Sequence, residues 1–359
     1  MRKRRRPDTP AELRDDIVEL HRRLIAGTGA GMFFPPLNCA CLAIGYDRFR
    51  SFGRGVDHPP THDDTLALYA LAHESVHAAQ LVSAGYLFAH VRELVGLSTQ
   101  AANAVNAGTA TDAAIATWRA RFEALQFEIA DDASGFSARD AIETQAVVEG
   151  LVGAAAVDAS TLELLAVAFE LYADSTSEVY TRVLRRLARH STDAAIVLAP
   201  RLSSLALGSD DPGGVLADKL DALDAKPEVV PALVATTPEA FVLAAGVEPS
   251  RLAPSMRERS GGIRNTADLL LDALLEDNFD RYEALTGVNA RLQARFHPGR
   301  SLGTTPNGER LRLWPRLVLF ADGRVYEPLP SPWNSTDVAN WAAIGLMILD
   351  GFEFLAAAT

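Results

Sequence analysis

The sequence predicts a mainly α protein, a multi-helix domain with a small β-hairpin near the C-terminus. Three observations carry that expectation. Alanine- and leucine-rich stretches repeat apolar residues every three or four positions, the spacing that gathers them on one helix face. Helix start signals recur, each a capping hydroxyl followed within three residues by an acid. Residues 311–328 read differently, as two apolar runs about the turn Ala321-Asp322-Gly323.

Taken in order, Thr9-Pro10-Ala11-Glu12 opens a helix over 10–26, with a cap, a proline at the first helical position and an acid at the third. The stretch "CACLAIGYDRF" from residue 39 is a second strand candidate. Thr61-His62-Asp63-Asp64 opens a helix over 62–84, and helices over 86–106 and 111–131 follow. Ser137-Ala138-Arg139-Asp140 repeats the cap and opens a helix over 138–157, with its acid near the positive helix end. Further helices are expected over 161–173, 176–190, 192–206, 264–285 and 336–356. From 208 to 262, prolines and glycines recur from Gly208 to Gly262 and predict short helices separated by turns. The organisation expected is a basic tail over 1–8, a helical domain over 9–207, a Pro/Gly-rich connection over 208–262 and a C-terminal helical subdomain with the hairpin over 263–359.

Charge narrows the partners. With 34 basic against 46 acidic side chains the chain carries −12, so as a whole it repels nucleic acid and anionic membranes, and neither is expected as a partner. The exception is Met1 to Arg6, "MRKRRR", read as a solvated mobile tail; a nucleic-acid arm is the weaker alternative. It lacks the apolar run of a secretory signal. The apolar C-terminal segment from Trp341 is interrupted by Asp350, Gly351 and Glu353, which predicts a buried amphipathic helix and not a membrane span. Two cysteines, Cys39 and Cys41, make no disulfide framework, so a cytoplasmic protein is expected.

The chemistry centres on His73-Glu74-Ser75-Val76-His77, an H-E-x-x-H arrangement. On a helix, residues four apart lie one above the other, so the two imidazoles face one point and can share a cation. Glu74 is rotated about 100° away. It can reach a water beside the metal without binding the metal itself. No proline falls between Leu66 and Gly85, so the helix is uninterrupted. Leu66, Tyr69 and Ala70 precede the histidines, and Gln80, Leu81 and Ala84 follow, near the same side. Burying two histidines and a glutamate without a partner is costly, which favours a metal.

Catalytic zinc takes three protein ligands. No histidine follows at the short spacing of the extended metzincin motif, so the third ligand is sought on a later helix. The segment from Ser137 offers Glu143 and Glu149 among apolar and small residues, and Ala146, Gly150 and Gly153 permit a close helix approach.

Here the chain resembles zincin-like metallopeptidases of gluzincin type, in particular bacterial members that carry H-E-x-x-H-x-x-Q, matched by His73 to Gln80. "AIETQA" around Glu143 looks like their glutamate-bearing element, and "VVEG" around Glu149 resembles another variant. The resemblance covers about residues 60–157. It implies a zincin-like helix pair, a Zn²⁺ cofactor held by His73, His77 and Glu143 (alternatively Glu149), and Glu74 as general base. A peptide or protein substrate is implied by the resemblance alone.

Lesser candidates are His58 and His62 about Pro59-Pro60-Thr61, read as a surface loop, and the C-x-C pair, read as small buried residues. His90, His190 and His297 stand alone, and Tyr86, Tyr172 and Tyr180 are open candidates for holding a developing oxyanion. The leading expectation is a zinc-dependent hydrolase. The alternative is a helical protein-interaction module with a structural or degenerate metal site.

Overall fold

A computed structural model describes residues 11–26, 31–37, 39–52, 62–154, 161–173, 178–236, 317–326 and 335–357. Twelve α-helices and a four-stranded sheet lie among them. In chain order these are α1 (Ala11–Ile25), β1 (Gly31–Phe34), β2 (Cys39–Leu42), α2 (Tyr46–Phe52), α3 (His62–Ser83), α4 (Gly85–Asn106), α5 (Asp112–Ala130) and α6 (Ala138–Ala154). There follow α7 (Thr161–Leu171), α8 (Arg182–Ala188), α9 (Thr192–Leu207), α10 (Pro212–Ala225), α11 (Val230–Ala235), β3 (Leu317–Phe320), β4 (Val325–Tyr326) and α12 (Ser335–Ala356). The mainly helical class is as the sequence predicts.

Caps explain several of the starts. The side chains of Thr111, Ser191 and Asp211 each accept an N–H of the first turn that follows, and Pro212 opens α10. Before α6, Ser137 Oγ accepts from Asp140 N at 3.2 Å while Asp140 Oδ2 accepts from Ser137 N at 2.8 Å, the reciprocal box read from the sequence. Arg182 then clamps the fully buried Asp140 carboxylate with bonds of 2.9 and 2.6 Å. The N-terminus of the helix that carries Glu143 is therefore fixed at three points.

Among the described helices, α3 lies against α6, α6 against α9, and α4 against α12. Leu81, Val147, Leu198 and Leu202 belong to one large apolar cluster. The sheet runs β1-β2-β3-β4, with β2 parallel to β3 and the other pairs antiparallel. Gly323, at φ 73°, makes the turn between β3 and β4. That hairpin is the one expected, but it is built onto β2 through the pairing of Cys39 with Leu317. Two expectations are corrected. The strand at residue 39 ends at Leu42, and Tyr46–Phe52 is helical because Asp322 accepts its first free N–H, that of Tyr46, at 3.1 Å. The helix expected over 176–190 is, from residue 178, a 3₁₀ turn at Glu178–Tyr180 followed by the short α8, whereas α10, a 3₁₀ turn at Pro227–Val229 and α11 are helices separated by turns, as expected.

The described C-terminal elements contact the N-terminal ones. Trp341 on α12 is 2% exposed and donates its indole N–H to the Leu37 carbonyl, and α12 also packs on α1. No described helix is long and apolar enough to cross a membrane. The basic run Met1–Arg6, the Thr9 and Thr61 caps, His58, the side chain of His62, the helix expected over 264–285 and His297 lie outside the described residues.

Candidate metal centre

Three ligand-type atoms converge between α3 and α6. His77 Nε2 stands 3.1 Å from His73 Nε2, and Glu143 Oε2 stands 3.5 Å from the first imidazole of the motif and 3.7 Å from the second. Zinc bonds of 2.0–2.1 Å at tetrahedral angles imply ligand separations of about 3.3 Å. The triangle matches that size. His73, His77 and Glu143 thus form a buried group that can hold a metal ion. Glu149 is buried on the same helix but is not part of the group.

The helices meet closely enough because position 150 is glycine. A Cβ there falls 3.1 Å from the backbone N and Cα of His73. Gly150→Ala sets a helix-propensity gain of about 1 kcal/mol against that crowding. Gly150→Val has no such compensation. It is expected to destabilise the fold by about 3 kcal/mol and to weaken metal binding, read as a lower urea midpoint and a raised zinc Kd.

Each imidazole is held at its far nitrogen. His73 Nδ1 meets Tyr69 Oη at 3.2 Å, and that hydroxyl meets Tyr172 Oη at 2.6 Å. His77 Nδ1 meets Gln80 Oε1 at 2.8 Å, and the Phe33 ring of β1 stacks on the imidazole. Both Nε2 atoms are left to face the carboxylate. Metal-bound histidines are commonly oriented in this way.

Glu74 is buried beside the group, with Gly31 of β1 packed against its side chain. Burial pushes its carboxyl up to about 7; His77 and the Phe33 backbone N–H oppose the rise, and Glu143 adds to it. Burial works in the same direction on Glu143, but the hydrogen bond with His73, the two imidazoles and Arg139 outweigh it and leave this carboxyl below its usual range. Two carboxylates in one site are thus driven apart, Glu143 toward its ionised form and Glu74 toward proton exchange near neutrality.

Of the open tyrosines, Tyr172 and Tyr180 border the site, their rings stacked 4.4 Å apart. Burial raises both, so they remain hydroxyl donors at neutral pH. Tyr86 lies elsewhere, against His90 and the Glu128 carbonyl. His190 pairs with Asp224. Cys39 and Cys41 are buried with sulfurs 3.9 Å apart, as small core residues.

Sequence reasoning placed Tyr69 near the histidines without giving it a role, and it missed Phe33 and Gln145. Only Tyr69 carried a signal, its position one turn before His73. Comparison with known family models, curated proteins and solved structures finds no match to this chain.

Proposed function

We propose that the chain is a zinc-dependent hydrolase, a metallopeptidase in which His73, His77 and Glu143 hold the metal and Glu74 moves the proton. The observation that carries the proposal is the convergence of two imidazole Nε2 atoms and one carboxylate oxygen, with a second, buried carboxyl alongside. Two imidazoles and a carboxylate make a donor set that suits Zn²⁺ and leaves a coordination position open. Bound zinc supplies Lewis acidity, which polarises a substrate carbonyl and acidifies a water.

The chain's own groups do the rest. Glu74 accepts the proton of the attacking water and returns it to the leaving amine, a role favoured by a carboxyl that titrates near neutrality. Tyr172 and Tyr180 offer hydroxyls at the border of the site for the carbonyl oxygen as charge develops there. A peptide substrate follows from the resemblance of His73 to Gln80 and the "AIETQA" segment to gluzincins. β1 adds physical support, being the edge strand of the described sheet and packed on α3, where an extended chain can pair.

The test is elemental analysis of purified protein, followed by digestion of a fluorescence-quenched peptide library by the zinc-loaded form. Stoichiometric zinc and cleavage that a chelator abolishes are the expected results. Protein that takes up no zinc ends the proposal. Zinc without cleavage leaves the helical interaction module with a structural metal site.

A further inference from the structure

We infer that Gln80, Gln145 and Ser204 are positioning residues, a buried relay between the α6 backbone and helix α9 that fixes the tautomer of His77 and the height of Glu143. The inference rests on the metal reading for its purpose, but its hydrogen bonds stand without it.

The argument begins at a backbone carbonyl, which can only accept. Gln80 Nε2 lies 2.9 Å from the carbonyl oxygen of Ile142, so this end of the amide is the donor end. Its oxygen is therefore the atom 2.8 Å from His77 Nδ1, and an amide oxygen only accepts. In the neutral imidazole the hydrogen must then sit on Nδ1, and Nε2 keeps its lone pair toward Glu143 and His73.

The same logic runs outward. Gln80 Nε2 also lies 2.9 Å from Gln145 Oε1, and Gln145 Nε2 reaches Ser204 Oγ at 2.6 Å. Gln80 and Gln145 are each 1% exposed, and Ser204 on α9 is 5% exposed. In so dry a setting a turned amide loses bonds that no water replaces. Ile142 immediately precedes Glu143, so Gln80 also grips the α6 backbone at the level of the carboxylate ligand. One amide therefore sets both the lone pair of one ligand and the position of another.

Gln145 hydrogen-bonds to Gln80 and to Ser204, and neither Gln145 nor Ser204 is among the three residues of the metal group, which separates positioning from ligation. A pair of glutamines that merely fills the core would change stability when removed, and leave the imidazole indifferent.

The experiment reads the ¹⁵N shifts of the His77 ring in zinc-free protein above pH 8, together with zinc affinity by competition with a chromophoric chelator. Wild type is expected to show the Nδ1–H tautomer alone. Gln80→Met, with no acceptor, is expected to turn toward the Nε2–H form and lose about 10- to 100-fold in zinc affinity. Gln80→Glu keeps an acceptor and is expected to keep the tautomer. Gln145→Met and Ser204→Ala, further along the relay, should give mixed tautomers and smaller losses. A wild-type tautomer in Gln80→Met, or a mixed tautomer already in wild type, overturns the inference. Because the tautomer is read without zinc, a protein that binds no metal defeats the proposed function and leaves this result to stand or fall separately.

Discussion

His73→Ala protein is expected to bind zinc roughly 100-fold more weakly than wild type, as is Glu143→Ala, while Glu149→Ala is expected to bind it unchanged. The magnitude follows from sharing a zinc binding free energy of about 10–16 kcal/mol among four ligand positions, or ~3 kcal/mol each. Geometry sets which residues suffer. The carboxylate of Glu143 lies within 3.5 and 3.7 Å of the two Nε2 atoms, and Glu149 stands outside the group. Alanine at 73 also frees Tyr69 from its imidazole partner, so the chain Tyr69 to Tyr172 loses its anchor at the same time. Affinity is measured by chelator competition at fixed pH, since the ligands exchange protons for metal. Loss of zinc from Glu149→Ala and not from Glu143→Ala would reassign the third ligand. Equal binding by all four proteins would dissolve the site.

What the sequence could show was the part of the site that is local. His73 and His77 share a helix, and four residues on a helix is a fixed displacement, so their convergence needs no tertiary knowledge. The same holds for the Ser137–Asp140 box, whose partners are three residues apart. Glu143 against Glu149 was not decidable, because both sit in one apolar helix and only the direction of α3 selects between them. Gln145 was out of reach for a related reason: its partners at the relay are 65 and 59 residues away. The sheet was half legible. The Ala321-Asp322-Gly323 turn announced β3 and β4, but their union with β2 spans most of the chain, and the four residues of β1 carry too little pattern to stand alone. β1 matters most among the elements missed, since Phe33 touches both His77 and Glu74.

Glu74→Gln separates the proton carrier from the ligands, and two measurements on it are expected to move in opposite directions. Hydrolysis by the zinc-loaded variant falls by about 10²- to 10⁴-fold, because an amide cannot take the proton of the attacking water, while zinc content stays at the wild-type level. Stability of the zinc-free variant rises at alkaline pH. The wild-type carboxyl is raised from 4.5 to about 7 on folding, chiefly by burial. A carboxyl raised in this way favours the folded state in its neutral form, so its contribution is full below about pH 4.5 and is lost as pH climbs through about 7. Glutamine has no charge to desolvate and can still accept the Phe33 N–H, so it escapes that loss. Above pH 8 the metal-free variant is therefore expected to exceed wild type by on the order of 3 kcal/mol, and to match it near pH 4. Urea melts at the two pH values read the difference directly. Zinc narrows the gap, because a dication at the neighbouring ligands favours the ionised carboxylate. Unchanged hydrolysis in Glu74→Gln removes it from the chemistry, and parallel pH profiles for the two metal-free proteins remove the desolvated carboxyl on which that role depends.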